Sequence, residues 1–183
     1  GCLQDASDAA ILEQLKALGN DDECVIAIDA PLSYNDGGGF RASDAQLQAA
    51  IIALGMRPGS VMAPTLTNMA YLTLRGLGLS RAMELLDCSN DMAVIETHPG
   101  AVFGLHGATL DHVLDYKTNA QSRLGLLQWL GTQGVRGLPT SLAETSHLTA
   151  ACGAILGAWH WSKNTSAWTF RKTPPQHPHD YSC

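Results

Sequence analysis

Two carboxylates, Asp29 and Glu96, have the positions in this 183-residue chain that most favour chemistry. Asp29 directly follows the apolar run 24–28, and Glu96 directly follows the apolar run 92–95. Because ligands of α/β sheets bind outside the carboxyl ends of the strands, the two side chains are expected to converge there. Close carboxylates repel each other, and a hard cation such as Mg²⁺ or a shared proton relieves the repulsion. The alternative is that each is a turn or capping residue, since Asp before Ala-Pro is common turn chemistry.

The surrounding sequence predicts alternating helices and strands. Continuous apolar runs bounded by polar residues, as at 24–28 and 92–95, are typical of strands covered on both faces in a parallel sheet. Helical spacing of apolar residues predicts helices at about 8–18, 43–54, 65–74, 80–86, 119–130 and 141–161. Residues 168–170 are a candidate edge strand. The expected breaks are Gly19-Asn20, the loop 35–39, Gly76 with Gly78, and the stretch 97–100.

Length and composition predict one domain over residues 1–183, of which 171–183 form a Pro- and His-rich C-terminal tail. A chain with 45% hydrophobic residues buries one core. The net charge of −6 and the scatter of eleven Lys and Arg residues exclude nucleic-acid binding through a broad basic surface. Five cysteines without disulfide or zinc spacing, and no signal-peptide pattern, favour a reducing, cytoplasmic location. No apolar run reaches the ~20 residues of a membrane span.

Four short motifs occur in an order that resembles a known family. They are Ile28-Asp-Ala-Pro-Leu32, Gly39-Phe-Arg41 with Asp44, Ile95-Glu-Thr-His-Pro99, and Tyr116-Lys117 with Arg123. Together they resemble the predicted RNase H-like nucleases of domain of unknown function 429, over roughly residues 25–160. The resemblance implies a three-layer α/β fold of the RNase H-like kind, with a truncated mixed or parallel sheet flanked by helices. It also implies acidic residues that gather Mg²⁺ or Mn²⁺ for phosphodiester hydrolysis.

Carried over residue by residue, the resemblance implies a set of site residues. Asp29 and Glu96 are the catalytic residues and metal ligands, and His98 lies beside the metal as a substrate-binding residue. Arg41 binds a phosphate of the substrate, for which its planar fork is suited, and Lys117 is a further substrate-binding residue. The alternative for Arg41 is a surface ion pair with Asp44. The ligand is expected to be a nucleic acid or a small phosphate.

The chain departs from the family pattern at two places. Its first predicted element is the helix that follows a three-stranded meander in RNase H-like proteins, so the family's first strands are not expected, and an exposed sheet edge of this kind favours a homodimer. On the last long helix, Thr149 stands where the family tends to have an Asp. His147 is the candidate substitute as a metal ligand, and imidazole suits Zn²⁺ or Mn²⁺ better than Mg²⁺.

These departures leave two functions open. The first is a metal-dependent RNase H-like nuclease or phosphodiester hydrolase, and the second is a catalytically incomplete binding or assembly module of the same fold. A zinc site formed by His98, His147, His177 and His179 is a further alternative. It has no recognised ligand spacing, and a terminal tail rich in His is more often flexible.

Overall fold

The computed structural model of the chain describes residues 6–18, 24–86 and 92–183. The predicted helix stop at Gly19-Asn20, and the cysteines Cys2 and Cys88, lie outside these ranges. Among the residues inside them, no helix is both long enough and apolar enough to cross a membrane.

Seven α-helices and four strands follow one another along the described residues. The helices are α1 (Asp8–Lys16), α2 (Ala42–Ala53), α3 (Thr67–Glu84), α4 (Pro99–Leu105), α5 (Leu110–Asp115), α6 (Ala120–Thr132) and α7 (Ser146–Ser162). The strands are β1 (Cys24–Ile28), β2 (Met92–Glu96), β3 (Thr169–Phe170) and β4 (Asp180–Ser182). Both apolar runs are strands and residues 168–170 contain β3, so these predictions are confirmed.

The four strands form one mixed sheet in the order β1-β2-β4-β3. β1 and β2 are parallel with Ile28 opposite Glu96, β2 and β4 are parallel, and β3 and β4 are antiparallel. An open mixed sheet with helices confirms the α/β class and is consistent with three layers. Because β1 and β2 are parallel neighbours, Asp29 and Glu96 lie at the same end of the sheet, as predicted.

The hydrophobic core packs α4 against α7, with α6 alongside. Phe103 of α4 is fully buried, and its ring meets Tyr116 and Trp129 edge-on at centroid distances of 5.7 and 6.0 Å. α7 approaches this ring closely because Gly153 has no side chain; a Cβ there would meet Phe103 at 2.6 Å. This contact fixes α7 against α4 and thereby places both helix beginnings beside the end of β1.

Helix α3 is one continuous element, so the prediction of two helices separated by Gly76 and Gly78 is wrong. Gly76 is buried against the segment that follows Asp29, and a Cβ on it would meet the carbonyl oxygen of Pro31 at 2.8 Å. The lack of a side chain at Gly76 therefore lets α3 approach the loop after β1 closely. The surrounding tertiary contacts outweigh the low helix propensity of glycine.

Two helix boundaries also differ from prediction. The stretch 97–100 was expected to be neither strand nor helix, but α4 begins at Pro99, because proline fits the first helical position and His98 caps it. The last helix begins at Ser146 and not near 141, since a 3₁₀ turn at Thr140–Ala143 precedes it and the Thr145 hydroxyl accepts the Leu148 N–H at 3.2 Å.

The segment predicted as a tail contributes a strand to the sheet. β4 is buried and lies between β2 and β3. The carboxylate of Asp180 fixes it, accepting hydrogen bonds from the Trp161 indole at 2.9 Å, the Arg171 guanidinium at 2.8 Å and the Lys172 backbone at 2.8 Å. This strand was not predicted, because its three residues, Asp-Tyr-Ser, show no apolar run.

Candidate functional site

A pocket of about 270 Å³ opens at the carboxyl ends of β1 and β2. The polar part of its wall includes Asp29, which follows β1, Lys117, which follows α5, and His147 in the first turn of α7. The three side chains come from distant parts of the chain. The end of β1 therefore borders a concave site of the kind that α/β sheets build.

The carboxylate of Asp29 is open to this pocket. Its residue is exposed, and within the described part of the chain its carboxylate accepts no hydrogen bond. The dense protein around it raises the pKa of Asp29 through desolvation, and the nearby His98, Lys117 and His147 oppose that rise. Asp29 is thus a carboxylate kept available at some cost in free energy.

Glu96 has the opposite environment, since it is 4% exposed and both of its oxygens are occupied. Arg41 donates one hydrogen bond to each oxygen, at 2.8 Å for Oε2, and the backbone N–H of Leu32 donates to Oε2 at 2.9 Å. Burial raises the pKa of Glu96, while the bonds from Arg41 and Leu32 lower it. Because a guanidinium faces both oxygens, we take Glu96 to be ionised at neutral pH.

The two carboxylates are neighbours along the sheet but face different surroundings. Glu96 is opposite Ile28 in the parallel register, so these two side chains share a face of the sheet. Asp29 comes one residue later, and the alternation of side chains directs it to the other face. The sequence correctly predicts that the strand ends adjoin, but it does not reveal this difference in direction.

Arg41 is the centre of a buried network and not a surface residue. All five of its guanidinium N–H groups have acceptors, supplied by Asp44, Glu96 and the Ser33 hydroxyl. Burial alone would lower the pKa of Arg41, but the bonds and charges of Glu96 and Asp44 raise it instead. The expected pair with Asp44 therefore exists, but the expectation that it lies on the surface is wrong, because Arg41 is 2% exposed.

His98 borders the pocket, yet both of its ring nitrogens are already used. Nδ1 accepts the backbone N–H of Ala101 at 2.9 Å, and Nε2 lies 2.8 Å from the carbonyl oxygen of Ser60. These partners assign the proton to Nε2. His98 thus caps α4 and links it to the segment before Val61, while Lys117 and His147 are exposed towards the pocket.

Thr149 does not reach the pocket. It is fully buried on the inner side of α7, and its hydroxyl donates to the carbonyl oxygen of Leu142 at 3.1 Å. The pocket is bordered instead by Ser146, His147 and Ala150 of the same helix. The position at which the family resemblance implied a carboxylate is therefore a core position in this chain.

Two features of the pocket were not predicted to belong to the site. The buried Tyr116 borders it, and its pKa is raised by burial and by the charge of Asp29. Its place next to Lys117 in one of the four motifs was a usable signal. The apolar wall formed by Met62, Met69 and Leu72 had no such signal, since no local pattern shows that this part of α3 packs beside the end of β1.

The proposed histidine cluster is dispersed. His177 bonds to the Ser33 hydroxyl at 2.7 Å, and His179 lies 3.5 Å from a carboxylate oxygen of Glu84. Across the described ranges there is no group of three or more His, Cys, Asp or Glu side chains arranged to hold a metal ion.

Comparison with protein-family models matches residues 2–179 to a family described as a protein of unknown function, DUF429. The chain belongs to the DUF429 family. This confirms the family part of the resemblance carried by the four motifs. No curated protein and no solved structure matches this DUF429 chain.

The Mg²⁺ or Mn²⁺ implied by the resemblance can be tested against the donors that the DUF429 pocket offers. A two-metal site needs carboxylates near both ions. Among the described residues bordering the pocket, Asp29 has free carboxylate oxygens, while those of Glu96 and Asp44 accept from Arg41. Mg²⁺ is commonly held by one or two carboxylates with water and substrate phosphate. The donors therefore fit a single ion at Asp29, with His147 nearby, and do not fit a pair.

Proposed function

We propose that this DUF429 protein is a phosphodiester hydrolase with an RNase H-like fold and that Asp29 is its central catalytic residue. One observation carries the proposal: Asp29, Lys117 and His147 converge on a pocket, and their ionisable groups make no hydrogen bond or ion pair with the residues that the structure describes. The equivalent group on the neighbouring strand, Glu96, is fully used by the fold. Ionisable groups kept free in a pocket at an energetic cost are typical of functional sites.

Each side chain has a role that follows from its chemistry. Lys117 supplies a positive charge for a phosphate oxygen, and His147 supplies a further donor on the α7 side of the pocket. Asp29 orients a water molecule and accepts its proton, a task that a carboxylate with a raised pKa performs better than an ordinary one. A bound Mg²⁺ or Mn²⁺ would lower the pKa of water and neutralise phosphate charge.

The proposal predicts that the protein hydrolyses bis(p-nitrophenyl) phosphate in the presence of Mn²⁺ or Mg²⁺ and that Asp29→Asn removes this activity. The loss should be at least about 100-fold, the usual scale for a general base. Asp111→Asn is the matched control, because Asp111 is exposed on α5 and does not border the pocket. Equal turnover by the Asp29 and Asp111 variants would contradict the assignment.

A second candidate is a binding or assembly module that does not cleave its ligand. The ion pair between Arg41 and Glu96 favours this second candidate. The pair leaves one free carboxylate, Asp29, among the described residues that border the pocket, whereas two-metal chemistry uses several. Binding of the phosphodiester by calorimetry without turnover would select this candidate. Its assembly form would be a homodimer through the edge of β1, which pairs only with β2 within the described part of the chain; a monomeric mass in solution would exclude that form.

A further inference from the structure

The pocket has an apolar wall that phosphate chemistry does not require. The same pocket is also lined by Met62, from the segment after the 3₁₀ turn Pro58–Ser60, and by Met69 and Leu72 of α3. Met69 and Leu72 are three residues apart on one helix, so they present neighbouring side chains. All three are at least partly exposed. An inorganic phosphate would leave this surface in contact with water.

The chemistry of the wall favours a flat, polarisable group. Methionine side chains adapt their shape, and their sulfur atoms make favourable contacts with aromatic rings. The amide nitrogen of Asn68 lies 3.7 Å from the Met62 sulfur and restrains that side chain. Two thioethers and one leucine in a pocket that also contains the ammonium group of Lys117 suit a ligand with an aromatic body and an anionic end.

The size and charge of the site limit this ligand further. A cavity of about 270 Å³ lies near the small end of ligand pockets, so it has room for one small molecule or one end of a chain. The net charge of −6 provides no basic surface along which a duplex would bind. A double helix also keeps its bases stacked and out of reach of a pocket wall.

We propose that the pocket binds one nucleotide unit, with its phosphate towards Lys117, His147 and Asp29 and its base on Met62, Met69 and Leu72. The unit is either a free nucleotide or the phosphorylated end of a single strand. This inference rests on the proposed function for the phosphate half of the site and adds the base-binding half.

The test compares ligands and variants by calorimetry in Mn²⁺. Adenosine monophosphate should bind wild-type protein about ten-fold more tightly than inorganic phosphate, because contacts between methionine sulfur atoms and an aromatic base contribute up to that scale. The double variant Met69→Gln/Leu72→Gln should lose this advantage while its affinity for inorganic phosphate is unchanged. Leu74→Gln is the matched control, since Leu74 is on the same helix, 68% exposed and outside the pocket. It should behave as wild type.

Each outcome separates the two halves of the site. If adenosine monophosphate binds no more tightly than phosphate, or if the double variant keeps the advantage, the base-binding half is overturned and the proposed phosphate site stands. If neither ligand binds, both proposals fail. Equal affinity for hexyl phosphate would show that the wall is only an apolar surface and would overturn the assignment of a nucleotide.

Oligonucleotides distinguish the two sources of the unit. A single-stranded oligonucleotide with a terminal phosphate should compete with adenosine monophosphate if the pocket takes a strand end, and it should not compete if the ligand is a free nucleotide. A duplex with the same ends should compete in neither case, and equal competition by the duplex would overturn the proposal of a single-nucleotide pocket.

Discussion

Glu96 and Asp29 end neighbouring parallel strands, yet the fold uses them in opposite ways. Glu96 is buried and saturated by Arg41 and by the backbone of Leu32. Asp29 is open to the pocket and accepts no hydrogen bond from the described residues. The difference teaches that one carboxylate can have the structural role of positioning the other. Leu32 belongs to the loop that starts at Asp29, so its hydrogen bond to Glu96 fixes the position of that loop.

The hydrogen-bond network around the buried Glu96 extends well beyond the sheet. Arg41 connects Glu96 and Asp44 to the Ser33 hydroxyl, which in turn bonds to His177 at 2.7 Å. The loop after β1, the start of α2, the end of β2 and the C-terminal segment are therefore tied together at one point. Rigid support of this kind is what a site needs if its reacting group is to keep its position.

Replacing the central cation should have the largest effect. Arg41→Met leaves the carboxylates of Glu96 and Asp44 buried without a counter-charge, so we expect the free energy of unfolding to fall by about 3–5 kcal/mol. Arg41→Lys should recover part of this loss, since it restores the charge but not the planar fork. Urea denaturation followed by circular dichroism measures both.

The control for this prediction is Arg75→Met. Arg75 also pairs with a carboxylate, that of Asp8 at 2.8 Å, but both groups are substantially exposed. Its loss should cost at most about 1 kcal/mol. A destabilisation by Arg41→Met as small as that of the control would show that the network does not hold the fold, and it would restore Arg41 as a candidate phosphate ligand.

A smaller loss is expected at the outer end of the network. Ser33→Ala removes a hydroxyl that accepts from Arg41 at 3.0 Å and bonds to His177, so we expect the free energy of unfolding to fall by about 1 kcal/mol. The pKa of His177 is lowered by burial and by the charge of Arg41, which keeps its ring neutral and able to accept. Phosphate affinity should be unchanged in this variant. A weaker affinity would mean that the network also binds ligand.

The sequence predicted the strand ends well but could not separate the two carboxylates. Each follows an apolar run, and local pattern assigns both the same role. The residue that distinguishes them, Arg41, is 55 positions away from Glu96 along the chain, and only the folded sheet brings the two together. Likewise, Gly76 was interpreted as a helix break because its contact with Pro31 is tertiary. Lys117 was identified through motif order, and His147 through its place beside the position where the family tends to have an Asp. The methionine wall depends on packing that no local pattern reveals.

The smallest effect on stability, and one of opposite sign, is expected from Asp29→Asn. Desolvation raises the pKa of Asp29 in the folded protein above its ordinary value, so the native state binds a proton more tightly than the unfolded chain. Stability therefore falls as the pH rises from the ordinary pKa of Asp to the raised pKa of Asp29. At neutral pH the wild type carries the cost of an ionised Asp29.

Asparagine does not titrate. The variant should melt at a higher temperature than the wild type at pH 7, by less than the Ser33 effect because the carboxylate still contacts solvent. The difference should disappear as the pH falls below the ordinary pKa of Asp. Melting curves between pH 3 and pH 8 measure it. If Asp29→Asn lowers the melting temperature at neutral pH as Arg41→Met does, Asp29 is a second structural carboxylate, and the contrast between the two strand ends is lost.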